Sequence, residues 1–324
     1  MAAAVVLLGP QGDTPDVGKV LAELGIRGRV GLVSAGYQAD EADDGALLAA
    51  MAVPVFNLRL HARAIEVFAD DLEFAAAYQA RQLRFRNLQS FYRIRLDKMD
   101  EAARMISVRY VEPELLAQED DESVDALRRL DASHLRRCAE VRTAFDARWR
   151  LGDRPSVAKH REELRAELGR CEALVITGGH VASLLNRLVL FDAVGLMPGK
   201  PVIAWSAGAM ALTDRIVLFH DYPPYGSDIA QVLDAGFGLV PGLVVLPDPK
   251  RKLDLEARVG IQRFARRMAP ATCVAMANGH RIIVEDGQLS RAAGFRLTTT
   301  GEVDRRWTGK ASRFSSPVMR GRPG

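Results

Sequence analysis

Residues 200–210 read KPVIAWSAGAM, an apolar run followed by Ser206 and then by the small residues Ala207, Gly208 and Ala209. Val202, Ile203 and Ala204 predict a short buried strand, and Pro201 is acceptable at its start, where a backbone donor is least needed. A serine on a sharp turn from a buried strand into a helix is the arrangement of a nucleophile elbow. Small neighbours allow a strained turn that exposes the hydroxyl, and the helix N-terminus favours developing negative charge. Ala204 stands where that pattern usually has its first glycine, so a plain strand–helix junction explains the stretch equally well when it is read alone.

A second glycine turn lies upstream. Leu174, Val175 and Ile176 predict another buried strand, followed by Thr177, Gly178, Gly179 and His180 and then by helically spaced Ala182, Leu184, Leu185 and Leu188. Paired glycines after a strand leave backbone N–H groups free to face a ligand or an oxyanion, although Gly-Gly more often simply closes a tight turn. On neighbouring parallel strands the two turns would share one carboxyl edge, where open α/β sheets place their ligands.

Around these turns, strands are expected at residues 4–8, 30–34, 53–58, 216–219, 243–246, 272–276 and 282–284, alternating over much of the chain with helical patterns. The first helix, with apolar face Val17, Val20, Leu21 and Leu24, is expected to be capped near Asp13 or Thr14 and to end at Gly25. An acidic turn (Asp40, Glu41, Asp43, Asp44) suits the start of the next helix, and Asn278-Gly279 a tight turn. Alternation of this kind predicts an α/β fold with a doubly wound, mainly parallel sheet. The chain divides into a first half (1–60), a helical insertion (61–155), a second half with the Ser206 turn (156–304), and a basic, flexible tail (305–324).

The insertion is poor in glycine and carries apolar residues at helical spacing: Ile65, Phe68, Leu72, Ala75, Leu88, Phe91, Met99 and Ile106, then Val124, Leu127, Leu135, Cys138, Val141 and Phe145. With Glu112-Pro113 between the stripes, it reads as a long helical hairpin, expected to form a dimer interface or to fold back as a lid over Ser206. Between Gln79 and Lys98, the residues Arg81, Arg84, Arg86, Arg93, Arg95 and Lys98 oppose only Asp97, which fits either a polyanion surface or a face paired with the acids Glu112, Glu114, Glu119, Asp120, Asp121 and Glu122.

The 324 residues carry a net charge of +3, which favours no class of partner. The scattered Cys138, Cys171 and Cys273 make neither a disulfide framework nor a metal cluster, so a reducing compartment is expected. Residues 1–8 are too short for a signal peptide or a membrane span. A cytoplasmic protein with no cofactor, no metal and no membrane attachment is expected, with a homo-oligomer built through the hairpin.

GGH at 178–180, AWSAGA at 204–209, HDYPPYG at 220–226 and GFGLVPGLVVLPD at 236–248 together resemble the dipeptidase E and cyanophycinase family of serine peptidases. The resemblance runs from about Cys171 to Gly287, is weaker over residues 1–60 and has no counterpart in the insertion. It implies a class I glutamine-amidotransferase-like fold, Ser206 as nucleophile, an oxyanion hole at Gly178, Gly179 and the Ala207 N–H, and a functional Asp221. Two positions depart from the family. Asp248 follows Pro247 where the family has its catalytic histidine, and Asn278 ends Met276-Ala277-Asn278 where cyanophycinase-like members carry a glutamate.

Ser206 needs a base, and histidine titrates in the useful range. His61, His134 and His160 are expected on the surface of or beside the insertion, whereas His220, His180 and His280 lie on loops near the cleft, ranked in that order. For each loop histidine a backbone or capping hydrogen bond is the alternative use. Three functions follow: a serine hydrolase cleaving a peptide or small amide, an inactive relative that binds such a ligand and recruits partners through the hairpin, and a polyanion- or nucleic-acid-binding protein.

Overall fold

The computed structural model describes residues 4–12, 15–219 and 229–309. Its elements in chain order are β1 (Val5–Leu8), α1 (Val17–Glu23), β2 (Val30–Val33), α2 (Gly45–Met51), β3 (Val55–Asn57), α3 (Leu60–Asp70), α4 (Leu72–Ser107), α5 (Pro113–Trp149), α6 (Pro155–Gly169), β4 (Ala173–Ile176) and α7 (Val181–Phe191). They continue as β5 (Val202–Trp205), α8 (Ala207–Leu212), β6 (Arg215–Leu218), β7 (Gln231–Ala235), β8 (Leu243–Pro247), α9 (Pro249–Lys252), α10 (Arg258–Met268), β9 (Thr272–Met276), β10 (Arg281–Glu285), β11 (Gln288–Leu297) and β12 (Val303–Trp307). A 3-10 segment, Ala35–Ala42, follows β2.

The main sheet runs β3-β2-β4-β5-β1-β10-β11-β9-β8, with β12 also on β11. From β3 to β1 all pairings are parallel, whereas β10 and β11 pair antiparallel. The result is an α/β fold with a mixed, mainly parallel sheet. VVLL, VGLV, ALVI and VIAW are each buried at every residue, as expected of parallel strands covered on both faces. Alternation divides their side chains between two layers. Val6, Leu8, Leu32, Val175 and Ile203 pack on α1 and α2 residues such as Val17, Val20 and Met51. Leu7, Val33, Leu174, Ile176 and Ala204 pack on α3, α6 and α7 residues such as Val67, Leu164 and Leu188.

The expected caps Asp13 and Thr14 lie outside the described residues, and α1 starts at Val17 behind Asp16, whose side chain caps nothing. Glu41, expected in an acidic turn, is buried and holds the N-terminus of α3, accepting from His61 N and Ala62 N at 3.0 Å. The insertion is interrupted at Asp71, whose carboxylate accepts from Phe74 N at 3.1 Å as the N-cap of α4. That separates α3, which packs with α6 and α7, from the hairpin proper of α4 and α5. Arg305 and Arg306, expected in the flexible tail, belong to β12, while residues 310–324 lie outside the described set.

The hairpin packs along β7 and α10. Tyr92 and Leu96 of α4 and Leu127 of α5 share a core with Val217, Val232, Ile261 and Met268. At its centre Arg267 donates to both Asp131 oxygens at 2.7 Å, to the Tyr92 hydroxyl at 2.8 Å and to Ala230 O at 2.8 Å. The Tyr92 hydroxyl donates to Asp131 at 2.8 Å and accepts from Val232 N at 3.0 Å. His134 stacks on Tyr92 and donates to Leu233 O, and Arg142 pairs with Asp234 at 2.5 Å.

The same register corrects the charge pairing expected within the hairpin. With Tyr92 opposite Asp131 and Arg81 against Phe145, the acidic start of α5 faces the end of α4 rather than Arg84 to Arg95. Asp120 and Asp121 pair instead with Arg266 of α10, and Arg81 is buried on Tyr78 and Phe145 rather than facing solvent.

Candidate active site

Ser206 follows β5 at φ 50°, ψ −117°, a left-handed conformation costly for a residue with a Cβ. Regions of this kind cost on the order of 1–3 kcal/mol and persist only where the surroundings enforce them. Here the enforcement comes from backbone packing. A Cβ on Gly208 would stand 2.7 Å from both Ile176 O and Thr177 O, and Gly208 N donates to Thr177 O at 3.0 Å. The first turn of α8 is therefore pressed onto the end of β4. Ser206 occupies the N-cap position, yet its side chain makes no capping hydrogen bond, and the residue is partly exposed.

The two glycine turns meet at this serine. A Cβ on Gly178 would lie 3.0 Å from Ser206 Cβ and 3.6 Å from its Oγ, so a side chain there would press on the serine's Cβ. Gly36 closes the other side: a Cβ there would fall 2.2 Å from Gly178 O, and Gly36 O accepts from His180 N at 2.7 Å. Gly179 adopts φ 97°, a conformation open to glycine. The Ala207 N–H is the first of α8, at the positive end of the helix. Gly178, Gly179, Ala207 and Ser206 thus lie together at the carboxyl ends of β4 and β5, as the sequence suggests.

The two described loop histidines each engage Nδ1 with partners other than Ser206. His180, exposed at the N-cap of α7, accepts at Nδ1 from Ser183 N at 3.2 Å, with Ser183 Oγ at 3.0 Å. His280 accepts at Nδ1 from Ala277 N at 3.1 Å and stands edge-on to Phe295. A neutral imidazole that accepts at Nδ1 carries its proton on Nε2, so neither ring offers a free basic nitrogen in this arrangement. Burial pushes the His280 pKa below 6.5. His134 and His160, expected on the surface, are buried within the hairpin seam and beneath Arg63, and burial lowers both pKa values. His220 and Asp221 lie outside the described residues.

Asp248 and Asn278 reach the same rim by another route. Pro247 pairs with Met276, Asp248 N donates to Met276 O at 3.2 Å, and the turn that follows β9 meets β1 where Gly9 N donates to His280 O at 2.9 Å. Asp248 sits at φ 59°, partly exposed, with its carboxylate 3.9 Å from Arg251. Asn278 is exposed in the turn, beside Gly279 at φ 78°.

One feature of the rim is not legible in the sequence. Gln38, within the 3-10 segment after β2, has φ 58° and ψ −117°, nearly the Ser206 conformation, and its Nε2 donates to Ser183 Oγ at 3.1 Å. Glutamine has no sequence signature for such a backbone, so only the fold reveals it. A cavity of about 490 Å³ lies elsewhere, lined by Leu127, Val259, Phe264 and Leu297 with Asp100 and Arg263.

No protein-family profile and no curated protein matches the chain at a significant level. Among solved structures, the chain is similar to a peptidase from an acI-B1 Actinobacterium, at 12% identity and a TM-score of 0.48, over 97% of this chain and 98% of the other. It is also similar to a protein provisionally assigned to peptidase E from Listeria monocytogenes EGD-e, at 12% identity and a TM-score of 0.42, over 92% and 100% of the two chains. Among the described residues no helix is long and apolar enough to cross a membrane.

Proposed function

We propose that the chain is a serine hydrolase of the peptidase or amidase type, with Ser206 as its nucleophile. The observation that carries this reading is the strained, uncapped Ser206 lying against Gly178. A serine serving only as a helix cap would use its hydroxyl on the first turn and needs no left-handed backbone.

In this reading Ser206 Oγ attacks the carbonyl carbon of a peptide or small amide, and the backbone N–H groups of Gly179 and Ala207 stabilise the oxygen that becomes negative. The hydroxyl proton passes to a base and then to the departing amine, after which water hydrolyses the acyl-enzyme. His220, with Asp221 beside it in sequence, is the proposed base. The Nδ1 bonds of His180 and His280 support that choice by occupying the alternatives.

A fluorophosphonate probe should label the wild-type protein and not Ser206→Ala, and His220→Gln should slow labelling at least about 100-fold. Absence of labelling in a folded wild type would reject the hydrolase. The second reading, a cleft that binds a peptide or amide without cleaving it, would then stand. It is supported by Asp248 in place of the family's histidine, with the Arg251 guanidinium 3.9 Å from its carboxylate.

A further inference from the structure

We propose that His180 serves the Ser206 site as a hydrogen-bond donor, held in one tautomer and one orientation by Ser183 and Gln38, and not as its base. This rests on the reading of Ser206 as nucleophile.

Three observations converge on it. First, a backbone N–H has only its proton to offer, so the 3.2 Å contact from Ser183 N fixes Nδ1 as an acceptor and leaves the ring proton on Nε2. Second, Gln38 Nε2 donates to Ser183 Oγ at 3.1 Å, which frees the Ser183 hydroxyl proton for His180 Nδ1 at 3.0 Å. The chain Gln38–Ser183–His180 therefore runs in one direction and ends, on an exposed ring, in an Nε2–H that meets no acceptor among the described residues. Third, the chain begins at a backbone conformation that glutamine adopts only under constraint, two residues from Gly36, whose backbone is pressed against Gly178 and Gly179. The strained backbone at Gln38 thus adjoins the turn that carries Gly178 and Gly179, and strain of that kind clusters at ligand-binding sites.

The chemistry follows from the tautomer. A ring with its proton on Nε2 donates to the carbonyl or developing oxyanion of an acyl group bound beside Gly179, adding a side-chain donor to the two backbone ones. At Nε2 it cannot accept the Ser206 proton without first giving up its own, and its Nδ1 lone pair is turned to Ser183. Gln38 and Ser183 act through His180 and are positioning residues.

The tautomer can be read directly from imidazole ¹⁵N shifts of the full-length protein, with the His180 signal assigned by its loss in His180→Gln. A single Nε2–H tautomer is expected, and an Nδ1–H form or a fast mixture would overturn the proposal. Fluorophosphonate labelling separates donor from base. His180→Phe should slow labelling about 100-fold, as loss of one oxyanion donor does. His180→Gln retains a donor and should stay within about tenfold of wild type with an unchanged pH profile, whereas equal loss in both variants would reject the donor role. Gln38→Gly tolerates the backbone angle but removes the side chain, and should slow labelling several-fold while leaving the tautomer single. A wild type that resists the probe overturns the nucleophile reading and the donor role with it. That failure is recognisable because the tautomer would still be single.

Discussion

The rim around Ser206 and the seam beneath the hairpin are held by opposite means. At the rim backbone meets backbone: Gly36 on Gly178, Gly208 on Ile176 and Thr177, with small side chains between them. At the seam long side chains reach across: Tyr92, Asp131, His134 and Arg267 satisfy one another and the backbone of residues 230–233. A backbone contact has no way to yield to an added methyl group. A side-chain network yields to any replacement that keeps volume and removes charge in matched pairs. The two regions should therefore respond differently to substitution, and each response can be measured.

The largest effect is expected at Gly36. An alanine there sets its Cβ 2.2 Å from Gly178 O, and chemical denaturation should show a loss of about 4 kcal/mol or more, or no folded protein. A loss below about 1 kcal/mol would mean that the rim can relax. Next is the seam. Arg267→Met leaves the Asp131 carboxylate buried without its cation and should cost about 3–5 kcal/mol, whereas Arg267→Met combined with Asp131→Leu should recover most of that. If the double variant is no better than the single one, matched replacement is not tolerated.

A third test uses pH. The Arg154 guanidinium, helped by Phe74 N–H and the Ser156 hydroxyl, holds the Asp71 carboxyl down at about 2 against an ordinary 3.8. The folded value is the lower one, so this stabilisation is complete above pH 4 and is lost as pH falls through 2. Burial lowers His61, His134, His160 and His280 from 6.5, so as pH falls the unfolded chain takes up these protons before the fold does. Their contribution is present above pH 6.5 and declines as pH drops below it. Thermal melts between pH 8 and pH 2 should fall in those two stages, and Asp71→Ala should shrink the lower one and cost about 1 kcal/mol of N-cap energy. A melting temperature flat from pH 7 to 5 would contradict the histidine part.

The smallest effect is a gain. Ser206→Gly relieves the left-handed backbone and should raise stability by about 1 kcal/mol while abolishing probe labelling. Loss of stability would show that the Ser206 side chain serves packing.

The buried strands were legible because β-branched and aliphatic runs such as VVLL and ALVI have few other places to go, and residues 272–276 match β9 residue for residue. The glycine turns were legible because strings of small residues after such runs leave backbone exposed. β7, β11 and β12 were not. QVLDA, QLSRAAGFRL and VDRRW mix charges with apolar residues, and they become strands only because neighbouring strands and the hairpin cover them. The break at Asp71 was hidden inside a continuous helical pattern, and its cap depends on Arg154, 83 residues away in sequence. Histidine roles were illegible for a simpler reason: which ring nitrogen holds the proton depends on the partner, and Ser183 N and Ala277 N become partners only once the turns have formed.

The Tyr92 hydroxyl takes the Val232 N–H, and among the described residues β7 pairs as a strand with β6 alone. Without the long helices, β7 would offer unsatisfied donors to any extended peptide nearby, an invitation to aggregate. The insertion thus doubles as a shield. A shortened version designed for ease of handling would need some other cover for that edge before it stayed in solution.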